Sequence, residues 1–414
     1  MESLRFLTAD ETRHIATHYG SPVYVYDEAT LRQRAAEVMA FPNAFGLTAR
    51  YAMKALPTAA VVQVLTDAGL HIDASSGFEA ERALRAGVAP EKIQVTAQEL
   101  PLNLKELVSQ GVLFNACSMN QLQAYGEQFP GREVSVRINP GLGSGHSNRT
   151  NVGGPSSSFG IWHGHLDEVK AIASEHKLTI SGMHTHIGSG SDPDTWARCA
   201  GLSLAIVERL PDVTRLSLGG GFKVGRMADE ISADMEKIGA RVKADFEAFA
   251  RQHGRELHLE VEPGTFLVAN AGALVTTIKD IVDTGDEGYT FLKIDGGMTE
   301  IVRPSMYGAQ HPMVVVPQAD EERGHGTYLV TGHCCESGDI LTPEPGNPEG
   351  LAPRELCEAH VGDYLVIDGA GAYCASMASK NYNAFPECAE LLRQVDGTVR
   401  VIRKRQTLEQ ILQN

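Results

Sequence analysis

Short β-rich runs alternate with amphipathic Ala/Leu/Glu-rich runs from about residue 48 to residue 265, and this alternation restricts the possible folds more than any other feature of the chain. The predicted strands end at Ala52, Ala74, Thr96, Ala116, Asn139, His184, Leu218 and Glu262. Predicted helices between them include Gly77 to Ala86, Leu102 to Gln110, Leu166 to Glu175 and Ile231 to Gln252. Such alternation produces a parallel sheet, and eight units close into a barrel, whereas open doubly wound sheets rarely reach eight. The sequence predicts an α/β fold with a (β/α)8 TIM-like barrel, whose chemistry lies where the strands end.

The pattern changes after about residue 275, where short strand-like runs are separated by Gly/Pro-rich turns such as Thr342 to Gly350. These runs are Tyr289 to Ile294, Tyr328 to Thr331 and Tyr364 to Asp368, and helical pattern is sparse until Thr407 to Leu412. This predicts a C-terminal, mostly antiparallel β domain. We therefore expect an N-terminal segment, 1–27, that joins the β domain through its strand-like SPVYVYD run, a barrel at 28–274 and the β domain at 275–414.

Composition restricts the class of protein further. The chain has 414 residues, of which 43% are hydrophobic and 21% charged, as expected for two globular domains. A net charge of −16 argues against nucleic acid as a partner. No apolar run approaches the length of a membrane span, and the N-terminal MESLRFLTADETRH lacks the apolar core of a signal peptide. The seven cysteines show no paired spacing, so we expect reduced thiols and a cytoplasmic protein.

Three features at predicted strand ends carry chemistry. Lys54 follows strand one among apolar residues, which predicts a desolvated neutral amine able to form a Schiff base, although alone it could be an exposed strand-end lysine. The glycines between Leu218 and Phe222 follow strand seven and could present backbone N–H groups to a phosphate. Glu262, beside them, could bond a protonated ring nitrogen or a structural Arg or Lys.

His184 and His186 end strand six, and because they are two residues apart they are expected to point the same way. A zinc pair is therefore an alternative, which we disfavour because the other strand ends lack the His and Asp ligands that would complete it. His186 could instead stack on a planar cofactor, or be an ordinary core histidine. We expect no metal.

The motifs YAMKA, DASSGFE, RINPG, HIGSG, LGGGF and EPG occur in the order found in the alanine-racemase-like (fold type III) PLP decarboxylases. The sequence most resembles the bacterial diaminopimelate decarboxylases within that family. The similarity continues through the GHSNRTNVGG block from Gly145 to Gly154, RPSMYG, CESGD, GAY and SKNYN, and it covers nearly the whole chain. No single motif is decisive, but the ordered set is very specific.

The resemblance implies a pyridoxal 5'-phosphate enzyme and a role for each matching residue. Lys54 would form the Schiff base, His186 would stack on the pyridine ring, and Glu262 would bond its nitrogen. The other cofactor-binding residues implied are Asp73, Ser189, Gly220, Gly221, Gly264, Thr265 and Tyr373. The substrate-binding residues implied are Arg303, Tyr307, Glu336 and Tyr373, with Glu336 at the distal ammonium and Cys335 as the proton donor. In the family the CESGD segment reaches into the partner's site, which implies a homodimer with shared active sites.

These residue types fit decarboxylation of an amino acid. The resemblance therefore implies that the chain converts meso-2,6-diaminopimelate to L-lysine and CO2. A carboxylate at the ring nitrogen maximises the electron sink, whereas alanine racemases of this fold place an arginine there. The thiol of Cys335 is a competent acid near neutral pH.

Two departures leave alternatives open. The family's Glu-Pro-Gly-Arg ends here in Thr265, and its Tyr-Asn-x-Arg ends in Phe385, so two arginines near the site are missing. A PLP decarboxylase of another diamino acid, or of a biosynthetic conjugate, is therefore the first alternative. A metal-dependent barrel hydrolase and a non-catalytic PLP-binding protein are more remote ones.

Overall fold

The structure, a computed structural model, describes residues 2–143, 153–186, 188 and 190–413. Its α-helices are Ala9–Tyr19 (α1), Glu28–Met39 (α2), Ala59–Asp67 (α3), Gly77–Arg85 (α4), Leu104–Gln110 (α5), Met119–Gln128 (α6), Leu166–Glu175 (α7), Pro193–Val207 (α8), Met235–His253 (α9), Thr265–Val268 (α10), Arg303–Tyr307 (α11) and Leu408–Ile411 (α12). Its first ten strands are Val23–Asp27 (β1), Leu47–Ala52 (β2), His71–Ala74 (β3), Ile93–Val95 (β4), Leu113–Ala116 (β5), Glu133–Asn139 (β6), Ile161–Trp162 (β7), Thr179–His184 (β8), Arg215–Ser217 (β9) and His258–Val261 (β10). The remaining strands are Gly272–Asp283 (β11), Thr290–Ile294 (β12), Met313–Val316 (β13), His325–Thr331 (β14), Pro343–Glu344 (β15), Asn347–Leu351 (β16), Arg354–Cys357 (β17), Tyr364–Ile367 (β18), Ala389–Arg393 (β19) and Val399–Arg403 (β20).

Eight parallel strands of the described chain close into a barrel, so the predicted fold is confirmed. Their order around the ring is β2-β3-β4-β5-β6-β8-β9-β10, and β10 pairs back to β2. Five of the strands end at the predicted residue, and β4, β9 and β10 end one residue earlier. The strands are nearly continuously buried, as all three residues of β4 are, because both faces of a parallel sheet are covered.

Several of the helices that follow the strands begin at polar caps. The side chains of Ser76 and Ser118 accept hydrogen bonds from the backbone N–H groups of Glu79 and Gln121, which fixes the starts of α4 and α6. Asp234 caps α9 in the same way, and the helix therefore begins at Met235 rather than at the predicted Ile231.

A second sheet contains most of the C-terminal strands together with β1. Its order is β17-β14-β12-β11-β1-β19-β20, and β18 pairs with both β11 and β13. Most pairs are antiparallel, whereas β1 runs parallel to β19, and β12 runs parallel to β14. The SPVYVYD run supplies β1, which is buried along its whole length. The predicted turn from Thr342 to Gly350 forms most of the two-stranded hairpin β15–β16, which extends to Leu351, and α11 was not predicted.

The chain divides into two compact units. The barrel unit comprises residues 32–224 and 231–267, and the sheet unit comprises residues 1–31, 225–230 and 268–414. The short segment 225–230 thus belongs to the sheet unit although it interrupts the barrel sequence.

Candidate active site

Lys54 lies in the short turn Met53–Ala55 that follows β2. Its Nζ is 3.4 Å from Oδ2 of Asp73, which lies on the neighbouring strand β3. The Asp73 side chain is buried, whereas 44% of the Lys54 side chain is exposed. The predicted desolvation of Lys54 is therefore wrong. Met53 and Ala55 turn into the core, and the lysine itself extends into an open cavity.

That cavity has a volume of about 580 Å³ and lies at the carboxyl ends of the barrel strands. Its polar wall includes Lys54, Asp73, Arg137, His184, His186 and Glu262. Its apolar wall includes Phe78, Leu100, Pro101, Leu102 and Phe159. A large cavity with a few convergent polar groups is the usual form of a site for a small organic ligand.

The Glu262 carboxylate is fixed by two buried partners. Its Oε2 is 2.8 Å from Nε2 of His184, and its Oε1 accepts a hydrogen bond from the Ser217 hydroxyl at 3.0 Å. Burial alone would raise the pKa of Glu262, but the charge and hydrogen bond of His184 outweigh it and hold the pKa well below its usual value. Glu262 is therefore an ionised carboxylate inside the cavity.

The pKa values of two other buried groups of the cavity, Asp73 and His186, are also shifted by burial and by neighbouring charges. Burial, followed by the negative charge of Glu262, raises the pKa of Asp73, while Lys54 opposes the rise. Burial, followed by the positive charges of Arg137 and His184, lowers the pKa of His186 well below its usual value. His186 is therefore a neutral ring, and its Nδ1 is buried without a hydrogen-bond partner among the described residues.

Each glycine of the turn after β9 is required by close packing or by backbone conformation. A side chain at Gly220 would place its Cβ 2.1 Å from the carbonyl oxygen of Glu262. Gly219 and Gly221 have φ of +72° and +97°, in the left-handed region that favours glycine. No described residue accepts a hydrogen bond from the N–H of Gly220 or Gly221, so both donors are left for a ligand. Gly264 packs against Ala52 and Ala55, where a Cβ would lie 3.3 Å from each.

Sequence reasoning missed Arg137 and His184, which lie among the charged and histidine side chains of the cavity wall. Arg137 is 6% exposed, packs its guanidinium 4.9 Å from the centre of the Phe159 ring, and leaves Nη2 buried without a partner among the described residues. It belongs to the RINPG motif, whose residues carry no predicted role. The sequence indicates His184 only as a possible zinc ligand, and its contact with Glu262 could not be found from spacing because 78 residues separate them.

Part of the predicted site lies outside the described residues. This applies to Ser189 and to most of the Gly145 to Gly154 block, since residues 144–152 are not described. Among the described residues, no group of three or more His, Cys, Asp and Glu side chains could hold a metal ion.

In the sheet unit, Arg303 and Tyr307 occupy the first and last positions of α11, four residues apart and hence on one face. Both are half-buried. The Nε of Arg303 donates to Nε2 of His311 at 3.3 Å, and Nδ1 of His311 is 3.1 Å from the carbonyl oxygen of Asp368. His311, which lies outside the predicted set, thus orients Arg303. Tyr373 is half-buried and adopts a φ of 56°.

Cys335 and Glu336 lie exposed on a loop of the sheet unit. The Asp339 carboxylate closes the loop by accepting from the N–H of Cys334 at 2.9 Å, and the Asn383 side chain accepts from the N–H of Cys335 at 2.9 Å. All seven cysteines are free. The backbone N–H groups of Cys334 and Cys335 are thus both held, while the exposed Cys335 side chain remains accessible.

Phe385 stands where the family pattern has an arginine, and its ring stacks on His333 with centroids 3.6 Å apart. The Nε2 of His333 is 2.7 Å from Oγ1 of Thr299, which in turn donates to the buried Glu300. The substitution therefore exchanges a cation for an aromatic contact that supports the start of the Cys335 loop.

No helix formed by the described residues has the length and apolar character required to cross a membrane.

Comparisons with known proteins agree on one family. Residues 31–269 match the family model described as pyridoxal-dependent decarboxylase, pyridoxal binding domain. The diaminopimelate decarboxylase of Escherichia coli (strain K12) is 35% identical over 415 residues, which cover 98% of this chain and 96% of that protein. The diaminopimelate decarboxylase of Streptomyces coelicolor is 35% identical over 412 residues, covering 96% and 90%. A crystal structure of a diaminopimelate decarboxylase superimposes with a TM-score of 0.91 at 35% identity, covering 98% of this chain and 96% of the other.

Proposed function

The chain belongs to the pyridoxal-dependent decarboxylases, and we propose that it converts meso-2,6-diaminopimelate to L-lysine and CO2, a step of lysine biosynthesis. The observation that carries this proposal is the extent of the similarity. It covers the sheet unit, with its Arg303 and Cys335 segments, as well as the barrel unit to which most of the family model applies. The chain is thus similar to its relatives in both units, and not only where the cofactor binds.

The barrel cavity fits pyridoxal phosphate. Four buried polar atoms on its wall have no partner among the described residues: Oδ1 of Asp73, Nη2 of Arg137, and Nδ1 of His184 and of His186. Gly220 and Gly221 offer N–H donors for a phosphate, and the ionised Glu262 suits a protonated ring nitrogen. Buried polar groups of this kind are normally satisfied, so a polar ligand is expected here.

When bound, pyridoxal phosphate supplies an electron sink for the pair left on the substrate carbon as CO2 departs. Lys54 provides the amine that holds the cofactor, and Asp73 keeps that amine in place through the 3.4 Å contact. Glu262, fixed by His184, keeps a proton on the ring nitrogen. The neutral ring of His186 presents a flat face, and Thr265, Gly264 and Ser189 complete the cofactor contacts that the family pattern implies.

Substrate recognition is assigned to the sheet unit. Arg303 and Tyr307 bind the carboxylate that is retained, because a guanidinium and a hydroxyl on one helical face suit it. Glu336 pairs with the distal ammonium, Tyr373 contacts both cofactor and substrate, and Cys335 gives a proton to the substrate carbon after CO2 leaves. The exposed thiol of Cys335 supports this role, since a proton donor must reach the reacting atom.

The active unit is a homodimer in which the Cys335 loop of one copy serves the barrel of the other. The exposure of that loop and its fixed backbone support this arrangement. We assign the enzyme to the cytoplasm, which the seven free cysteines support.

Decarboxylation of another diamino acid, or of a biosynthetic conjugate, is the second candidate. The observation in its favour is the absence of arginine at positions 265 and 385. A site with fewer cations has less to gain from a second carboxylate on the substrate.

Release of CO2 from meso-diaminopimelate, lysine, ornithine and arginine distinguishes the two. We expect turnover of meso-diaminopimelate alone, with L-lysine as the product. A site built to pair a second carboxylate rejects an amino acid that has only one. Turnover of ornithine or arginine without turnover of meso-diaminopimelate would overturn the proposal.

A further inference from the structure

Three basic side chains of the sheet unit gather around the turn that follows β18. The carbonyl oxygen of Asp368 is 3.1 Å from Nδ1 of His311, and the next carbonyl, that of Gly369, accepts from Nε of Arg226 at 2.9 Å. Arg303 joins them through its 3.3 Å contact with His311. Arg226 lies outside every motif of the family pattern, five residues beyond Gly221.

The histidine in this cluster is uncharged. Burial, followed by the positive charges of Arg303 and Arg226, lowers the pKa of His311 well below its usual value. The neutral His311 ring carries its proton on Nδ1 and donates it to the Asp368 carbonyl oxygen. Its unprotonated Nε2 then accepts the hydrogen bond from Nε of Arg303. The positive charge of the cluster therefore belongs to its two arginines.

No carboxylate of the described residues forms an ion pair with either arginine. Arg226 is 7% exposed, and its Nη2 is buried without a hydrogen-bond partner in the part of the chain that the structure describes. By contrast, the buried Arg50 of the barrel unit is paired with Glu260 at 3.1 Å. The Glu230 carboxylate lies near Arg226 but accepts from its backbone N–H at 2.7 Å and forms no ion pair with the guanidinium. A buried guanidinium without a directly paired carboxylate is costly, so Arg226 indicates that an anion completes this cluster.

We propose that Arg226 is a substrate-binding residue that, beside Arg303, binds the carboxylate retained in the product. This rests on the proposed function and extends it. The chain lacks the arginine that the family places after Glu-Pro-Gly, where Thr265 stands, and Arg226 supplies a second guanidinium instead. Two guanidinium groups recognise a carboxylate more selectively than one, through charge-assisted bonds of fixed geometry.

The test is binding of pimelate to the holoenzyme by titration calorimetry. Pimelate has the carbon chain and both carboxylates of diaminopimelate but no amine, so its binding reports the anion site without turnover. We expect Arg226→Gln to weaken pimelate binding about tenfold or more and to raise KM for meso-diaminopimelate. Binding of the product L-lysine should weaken as well, because lysine carries the retained carboxylate. Arg226→Lys keeps the positive charge but loses the two-pronged hydrogen-bonding geometry of the guanidinium. It should therefore weaken pimelate binding less than Arg226→Gln does.

The matched control is Arg323→Gln, which removes another arginine of the sheet unit, one that is ion-paired with Asp363. It should leave pimelate affinity unchanged. Wild-type pimelate affinity in both Arg226 variants would overturn the inference. So would a loss confined to cofactor affinity, because the anion would then be the cofactor phosphate. If the wild type binds pimelate through Arg226 yet releases no CO2 from meso-diaminopimelate, the anion site stands and the proposed function fails.

Discussion

Glu260 and Glu262 lie two residues apart at the end of the last barrel strand, and their neighbours give them different roles. Glu260 is paired with Arg50 and Arg215, at 3.1 and 3.3 Å. Glu262 faces His184 and the cavity instead. Both pKa values are held below the usual range of a glutamate, against burial, which acts in the opposite direction. Of these two glutamates, only Glu262 lines the cavity, where a ligand can reach its ionised carboxylate.

We predict that Glu262→Gln retains the cofactor but lowers kcat by roughly 10²–10³-fold, as for other single electrostatic contacts at a reacting centre. The neutral amide has the same size but no longer stabilises a proton on the ring nitrogen. Steady-state kinetics and cofactor absorbance measure both effects. Glu260→Gln is the matched control, and it should lower thermal stability while leaving kcat within a fewfold of wild type. Near wild-type turnover in Glu262→Gln would contradict the role assigned to this carboxylate.

At the scale of elements, the turn after β9 depends on contacts that its glycines alone permit. Gly220 approaches the backbone of Glu262 so closely that a Cβ would meet the carbonyl oxygen at 2.1 Å. Gly201, on the exposed face of α8, has an ordinary helical conformation, and a Cβ at this position would have no neighbouring atom within 4 Å. Substitution of these two glycines by alanine should therefore act in opposite directions.

We predict that Gly220→Ala lowers the free energy of unfolding by roughly 1–3 kcal/mol, since a backbone must move to relieve the overlap. It should also weaken cofactor binding, because the two N–H donors of the turn shift. Gly201→Ala should raise the free energy of unfolding by about 0.5–1 kcal/mol, through the higher helix propensity of alanine. Denaturant unfolding and cofactor titration measure these effects. Equal stability of Gly220→Ala and wild type would show that the turn tolerates a side chain.

At the scale of the whole molecule, the proposed machinery is divided between the two units. Lys54 and Glu262 belong to the barrel unit, whereas Arg303 and Cys335 belong to the sheet unit. In the homodimer proposed above, Cys335 acts on the substrate held by the Lys54 of the other copy. Such sharing makes a lone copy inactive.

We predict that inactive Lys54→Ala and inactive Cys335→Ala proteins regain about a quarter of wild-type activity when their subunits exchange, because half of the dimers are mixed and each mixed dimer has one complete site. CO2 release after mixing measures the recovery, and native mass spectrometry confirms the exchange. Each variant exchanged with itself is the control. Exchange without recovery would assign both residues to one subunit.

The sequence by itself determined the barrel and placed the candidate site residues at the ends of its strands. Strand ends were predicted to within one residue, and Lys54, the glycine turn and Glu262 were assigned to those ends. These features depend on local pattern: hydrophobic periodicity fixes strands and helices, and parallel strands bring their carboxyl ends to one edge. The order of the motifs along the chain, which is also a property of the sequence alone, indicated the family.

Only the tertiary structure decided which groups meet. His184 contacts Glu262 across 78 residues, and Arg226 reaches the Gly369 carbonyl across 143. Phe385 stacks on His333, which explains a lost arginine that the sequence showed only as an absence. The exposure of Lys54 was likewise decided by the turn that buries its neighbours. Contacts between distant segments depend on how strands and turns pack, and no local pattern in the sequence encodes that packing.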